Sequence, residues 1–304
     1  MSIAVIGSHG FIGRALVATL RAANMSVREF PSAKPFLHSD GSPTDELAGA
    51  GAVCYLASRI NPAIAERDPM AVEAHLATLQ RLIRAMSGSG KRLIYPSSGG
   101  TVYDPAGDPP YSETSALGPI GRFGAAKVEV ERLLSETAGV ETVAMRISTA
   151  YGPGQRTGTG LGVIAHWLVA AADGKPLHLF GPPETTRDFV YVDDVCEAFL
   201  RVISSDHPPS VVNIGSGAPT SLAALAELIA EIANGVEIVH DPDRGFDVAR
   251  SWLDISRARQ TLGWEPRVQL PEGIARTWEH YLGQRRADEF VDSALGSVAP
   301  DDDR

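Results

Sequence analysis

Cysteine is nearly absent: Cys54 and Cys196 are the only two in 304 residues, and both lie in apolar runs. That excludes a disulfide framework and a cysteine metal centre, and it marks both as small core residues. No metal is expected. Positive charge is also scarce. Lys and Arg number 27 against 37 Asp and Glu, a formal net charge of −10. A protein that grips nucleic acid by its phosphates needs a basic face, so no nucleic-acid partner is expected. A pair of arginines would still suffice for a small anion. No apolar run approaches the roughly 20 residues of a membrane-spanning helix. The sequence opens directly on an apolar strand, with no room for a leader. A cytoplasmic protein without a membrane partner is the expectation. What remains, 44% hydrophobic and 21% charged residues, is the make-up of an ordinary globular enzyme or binding protein.

The first half alternates strand and helix. "SIAVIG" is a short apolar run, followed by helical periodicity from Phe11 to Ala22. "AVCYLA" (52–57), "KRLIYPSS" (91–98) and "TVAMRIS" (142–148) repeat the strand, with helices through 71–86 and 123–137 between them. Strands that are apolar throughout and separated by helices predict a parallel sheet covered on both faces. The fold class is therefore α/β, a Rossmann-like doubly wound sheet. After about residue 155 Gly, Pro and Thr cluster and the rhythm loosens. The expected division is a dinucleotide-binding domain over 1–155, to which 187–215 returns. A smaller α/β substrate lobe takes 156–186 and 216–290. The acidic end, 291–304, is expected to be a disordered tail.

"VIGSHGFIG" sets Gly7, Gly10 and Gly13 directly after the first strand, with Phe11 and Ile12 between the last two. Glycine is needed where the chain turns sharply and where backbone approaches a pyrophosphate, and the following helix offers free N–H groups to that anion. This predicts a nicotinamide dinucleotide site. Beyond the loop, "YLAS" (55–58), "SSGGTVYDP" (97–105), "RISTAYGPGQ" (146–155), "RDFVYVDDV" (187–195), "NIGSG" (213–217) and "LDISRARQTLGW" (253–264) follow in order. Together they resemble the extended short-chain dehydrogenase/reductase family, the nucleotide-sugar epimerases and dehydratases. The resemblance spans most of the chain.

It implies NAD or NADP as cofactor, with Ala57 beside it. NAD-using members place an acid at the end of the second strand, here "SVREF". Glu29 comes one or two places early, and Ser32 and Lys34 follow the strand. The latter pair would suit the 2′-phosphate of NADP, so both cofactors stay open. Asp40 resembles the acidic residue that contacts the adenine; a turn residue is the plainer alternative. The chemistry implied is hydride transfer at a carbinol carbon, served by a tyrosine, a lysine and a Ser or Thr hydroxyl. In "GRFGAAKVEVE" Lys127 lies one helical turn after position 123, on the same face. It takes the lysine role, holding the nicotinamide ribose. Ser98 is the first choice for the hydroxyl and Thr101 the second.

The tyrosine position is occupied by Phe123, which can neither accept nor donate a proton. Three readings stand. Phe123 is a conservative replacement made to trap a substrate, or it marks a homologue with little catalysis. Otherwise another hydroxyl carries the proton, among Ser98, Tyr103 and Tyr151.

On the substrate side the resemblance gives Arg187 and Arg244 to a nucleotide diphosphate, through bidentate guanidinium bonds. Thr149 stands where an asparagine usually meets the sugar. The expected activity is NAD(P)-dependent 4-epimerisation of a nucleotide-diphosphate sugar. A 4-ketoreductase of a deoxysugar nucleotide and a non-catalytic cofactor-binding homologue are the alternatives. A dehydratase would need an Asp-Glu pair where Gly99 and Gly100 stand. A homodimer through the helices over 71–86 and 123–137, with Ala125 and Ala126 in the contact, is the expected assembly.

Overall fold

The structure is a computed structural model; it describes residues 1–157, 162–242 and 248–296, with side chains through Arg286. In chain order the first half runs β1 (Ser2–Ile6), α1 (Phe11–Ala22), β2 (Ser26–Phe30), α2 (Asp45–Ala48), β3 (Ala52–Tyr55), α3 (Pro62–Arg67), α4 (Pro69–Met86), β4 (Arg92–Ser98), α5 (Gly121–Ser135) and β5 (Glu141–Ile147). The second half runs β6 (Thr149–Tyr151), α6 (Val163–Ala172), β7 (Leu177–Phe180), β8 (Thr186–Arg187), β9 (Phe189–Tyr191) and α7 (Val192–Ser204). It continues with β10 (Val211–Ile214), β11 (Thr220–Ser221), α8 (Leu222–Ile232), β12 (Ile238–Asp241), α9 (Ser256–Leu262) and α10 (Leu270–Gly296).

Six strands form one parallel sheet in the order β10-β5-β4-β3-β1-β2. Successive side chains of a strand point to opposite faces, and both faces here are covered. In β1, Ile3 and Val5 enter a core with Leu16 and Leu20 of α1 and Phe199 and Val202 of α7. Ala4 and Ile6 enter the opposite core, with Leu79 and Leu82 of α4 and Val130 and Leu134 of α5. That is why these strands are apolar throughout. A third core joins Tyr151, α6, β7, β9, α8 and Ile274 of α10. It belongs to the loosely patterned second half, while α7 and β10 go back to the main sheet.

The helix starts follow local chemistry. The side chains of Asn61 and Asp68 accept the backbone N–H groups of Ile64 and Ala71, and Pro62 and Pro69 take the first helical positions. The short α3 has no counterpart in the sequence pattern, and α5 begins two residues before Phe123. Residues 238–241, where the pattern marks no strand, pair as β12 with β7. The last helix runs through Gly296, so 291–296 are helical where a disordered tail is expected from the sequence. Residues 297–304 lie outside the described residues.

One buried ion pair crosses from helix to sheet. Arg146 of β5 meets Glu131 of α5 at 2.6 Å, with side chains 5% and 7% exposed. Glu131 also accepts from the Ser97 hydroxyl of β4. Arg146 donates to the Tyr103 hydroxyl at 3.1 Å, and Tyr103 donates to Asn213 of β10 at 2.6 Å. Removing one partner of such a pair leaves an uncompensated buried charge. Glu131→Gln should therefore lose about 3–5 kcal/mol of stability in urea unfolding, and Glu131→Leu combined with Arg146→Met should lose much less.

Candidate functional site

Because the sheet strands are parallel, their carboxyl ends share one edge. The chain reverses its strand order between β1 and β3, which opens a crevice at that edge. Gly7 ends β1 at φ +89°, and its N–H bonds the Phe30 carbonyl at 2.8 Å. A Cβ on Gly7 would sit 2.6 Å from the Ala57 nitrogen, and one on Gly13 only 2.1 Å from the Gly7 carbonyl oxygen. At Gly10 the same atom would meet the Gly7 oxygen at 3.2 Å. Gly10 caps α1, which has no side-chain cap bond and no acid in its first turn. The Ser8 hydroxyl is buried here without a partner among the described residues. Phe11 and Ile12, half-buried, open the helix. Backbone packed this tightly at a free helix N-terminus fits the pyrophosphate of a dinucleotide.

The rim of the crevice corrects one expectation. The Lys34 ammonium meets Glu46 at 2.6 Å and the Glu29 carbonyl at 3.1 Å, and lies over the Phe30 ring. It is not a free cation for a 2′-phosphate. Ser32 is exposed in the turn after β2. Glu29, placed early by sequence, pairs with Arg21 and lies 4.0 Å from His9 in the glycine loop. The Asp40 carboxylate accepts from the Ser42 nitrogen and hydroxyl at 2.9 and 2.6 Å, bonds that hold its pKa low. Both bonds lie within its own exposed turn.

At the end of β4, Ser98 is half-buried beside Ile147 of β5. Thr101 follows two glycines later. Its carbonyl accepts the Ile120 N–H, and its hydroxyl is buried without a partner among the described residues. On α5 the Phe123 ring packs against Ile60, Ala65 and Ala126. The Lys127 ammonium lies 5.4 Å from that ring and 4.5 Å from the Tyr95 ring, and donates to the Pro96 carbonyl at 2.8 Å. Burial pushes the Lys127 pKa down to about 7. Ser98 ends β4, Thr101 follows it, and Phe123 and Lys127 lie in the first two turns of α5.

Two candidate proton carriers are engaged elsewhere. Tyr103 is 2% exposed, is committed to Asn213, and has its pKa raised by burial. The Tyr151 hydroxyl donates to the Leu270 carbonyl at 3.4 Å inside the third core, and burial raises its pKa too.

On the substrate side Thr149 opens β6, its N–H on the Asp188 carbonyl at 2.9 Å. Arg187 donates from Nη1 to the Thr186 and Val248 carbonyls at 2.9 and 2.6 Å. Arg244 lies outside the described residues, so the two-arginine clamp is seen from one side only.

Sequence reasoning missed Asp188. This carboxylate, 3% exposed, accepts from Ser148 and Ser216, from the Gly217 N–H and from the Leu253 N–H at 3.0, 2.6, 3.2 and 3.2 Å. It ties together the loops beyond β5, β10 and residue 248. It also missed Glu131 and Arg146; the arginine within the apolar run "TVAMRIS" was the available signal.

A model of the NAD dependent epimerase/dehydratase family matches residues 3–215. The chain is 32% identical over 285 residues to a UDP-glucose 4-epimerase of Mycolicibacterium smegmatis, covering 90% of this chain and 91% of that one. It is 35% identical over 188 residues to a dTDP-4-dehydro-6-deoxyglucose reductase of Escherichia coli, covering 60% and 59%. Its structure is similar to that of the Thermus thermophilus UDP-glucose 4-epimerase in complex with NAD. That match has a TM-score of 0.81, 27% identity, and coverage of 93% and 99%.

The glycines separate binding from folding. Gly10→Val should weaken NAD binding at least tenfold in calorimetry while the melting temperature stays close to wild type, because its Cβ is nearly accommodated. Gly13→Val should lose both, because its Cβ would overlap backbone.

Proposed function

This chain belongs to the NAD dependent epimerase/dehydratase family, and from that premise we propose that it is a nucleotide-sugar 4-epimerase. It would oxidise the sugar at C4 and reduce it again from the opposite face. The observation that carries the reading is the tightly packed glycine loop at the carboxyl edge of the sheet, with Lys127 of α5 bonded to the Pro96 carbonyl of β4, the strand that ends at Ser98. The near-full-length similarity to a UDP-glucose 4-epimerase supports it. When bound, NAD supplies reversible hydride exchange with a carbinol carbon.

The residues divide the rest of the work. Gly7, Gly10 and Gly13, with Phe11, Ile12 and Ala57, receive the pyrophosphate. Glu29, beside the loop, and the engagement of Lys34 by Glu46 favour the free 2′-hydroxyl of NAD over a 2′-phosphate. Lys127 holds the nicotinamide ribose. Ser98 orients the sugar hydroxyl, with Thr101 behind it. Arg187 and Thr149 face the nucleotide sugar, joined by Arg244. The main domain is assigned to 1–155 with 187–215, and the substrate lobe to the remainder.

Reduction of a 4-keto deoxysugar nucleotide is the second reading, favoured by the similarity to the Escherichia coli reductase. Either reaction moves a proton at the carbinol oxygen, and Phe123 cannot move it. A positioned acid/base contributes on the order of 10²–10⁴-fold in rate. Phe123→Tyr should therefore raise turnover at least about a hundredfold on one member of a panel of UDP- and TDP-sugars, with KM little changed. Conversion between C4 epimers supports the first reading, and net oxidation of NAD(P)H by a 4-keto sugar the second. If neither form turns over any sugar nucleotide, the chain is a cofactor-binding homologue without catalysis.

A homodimer through α4 and α5 is the assembly proposed. Gln80, Ile83, Arg84, Leu133, Glu136 and Thr137 line a groove between these helices. Ala125 is exposed there, whereas Ala126 is buried against Ile60 and Ala65, so it is not a contact residue. Sedimentation at micromolar concentration should give twice the monomer mass, and Leu133→Glu should return it to monomer.

A further inference from the structure

A second concavity, lined by charge, lies between α7 and the end of α9. Its volume is about 260 Å³, smaller than the roughly 300–1,000 Å³ of pockets for drug-sized ligands. Glu197 and Arg201 line it from α7, Arg259 from α9, and Trp264, Glu265 and Arg267 from the segment after α9. It lies apart from the crevice. Arg92, at the start of β4, donates to the Val202 and Ile203 carbonyls at 2.6 and 2.9 Å. That bond pair holds the last turns of α7, and Arg201 with them, at the amino edge of the sheet, whereas the glycine loop stands at the carboxyl edge.

Three arginines and two glutamates line this concavity, in a chain where acids outnumber Lys and Arg 37 to 27. None of the three guanidinium groups is fully engaged. Arg201 gives its Nε to Glu197 at 2.8 Å, and its Nη groups bond nothing among the described residues. Arg259 Nε stands 3.7 Å from Glu265, beyond hydrogen-bond distance. The Arg267 side chain pairs with no carboxylate among the described residues; only its backbone N–H is used, by Asp194 at 3.1 Å. The frame beneath is firm. The Asp194 carboxylate also takes the Val268 N–H at 3.0 Å, and its carbonyl takes the indole N–H of Trp264 at 2.9 Å. Gly263 turns the chain out of α9 at φ +57°, which sets Trp264, 2% exposed, as the apolar floor. Guanidinium forks with free N–H groups bind phosphate oxygens two at a time.

We propose that Arg201, Arg259 and Arg267 form a binding site for a phosphate dianion, either the free ion or the terminal group of a small phosphomonoester. The Nη groups of Arg201, the guanidinium of Arg259 and the fork of Arg267 supply the donors. Glu197 holds Arg201 by its Nε and leaves the outer edge of that fork to the anion. Glu265 opposes the anion by charge and limits its affinity. The bound anion joins α7 to the segment that links α9 to α10. No step of the reaction above passes through this site, and the site does not rest on that reading.

Titration calorimetry of the full chain at fixed ionic strength tests this, with inorganic phosphate, glycerol 3-phosphate and malonate as probes. Phosphate or its ester should bind saturably at millimolar concentration or below. Arg201→Ala and Arg267→Ala should each weaken that binding at least about tenfold, the loss of one charge-assisted pair. Glu265→Gln should tighten it, because an opposing charge is gone. All three side chains are exposed, so the melting temperatures should stay near wild type. An ester bound as tightly as the free ion or more tightly assigns the site to a phosphorylated metabolite; the reverse order assigns it to phosphate itself. Binding undiminished in both arginine variants belongs to the glycine loop and overturns the proposal. Malonate bound as tightly as phosphate overturns it too, as does the lack of any saturable binding at millimolar concentration.

Discussion

The ion pair between Glu131 and Arg146 is the contact on which the candidate site depends. It joins α5, which carries Phe123 and Lys127, to β5, and through Ser97 to β4, which ends at Ser98. Tyr103 and Asn213 extend it to the segment after β4 and to the edge strand β10. A buried charged pair contributes little net stability against an apolar replacement of equal volume. What it contributes here is register: bonds at 2.6 and 3.1 Å leave α5 one rotation and one height over the sheet. The helix that carries Lys127 is thereby held over β4, the strand that ends at Ser98.

The surroundings of Lys127 follow from the same arrangement. An ammonium 6% exposed is normally discharged by desolvation, and burial does bring its pKa to about 7. The aromatic faces of Tyr95 and Phe123, the Pro96 carbonyl and the charge of Glu131 work against that loss. A hydroxyl restored at position 123 would stand beside an amine already tuned toward neutrality. The phenyl ring keeps the packing of that position against Ile60 and Ala65 while removing its proton chemistry.

Two carboxylates tie together distant segments of the second half of the chain. Asp188 gathers the backbone of two loops and the Ser148 hydroxyl, and a Cβ on Gly215 would approach its oxygen to 2.5 Å. Asp194 at the start of α7 accepts the Arg267 and Val268 N–H groups at 3.1 and 3.0 Å, and its carbonyl takes the Trp264 indole N–H. The consecutive residues of "RDFVYVDD" thus divide between a guanidinium that faces substrate in the proposed reading and carboxylates that carry structure.

The sequence by itself determined the doubly wound sheet and the glycine loop. Apolar runs covered on both faces, and glycine where a Cβ would strike backbone, are local properties of the chain. It also put Phe123 and Lys127 one turn apart on one helix face, because that spacing is local. It left open whether Lys34 was free, whether Asp40 served a ligand or its own turn, and whether Tyr103 or Tyr151 carried a proton. Three of those answers rest on a partner farther along the chain: Glu46, Asn213 and the Leu270 carbonyl for Lys34, Tyr103 and Tyr151. The burial of His75 was illegible for the same reason: in sequence it is one polar residue on an amphipathic helix, and only the packing of α4 withdraws it from water. Burial and pairing between distant segments arise from the folded packing, and no local pattern encodes them.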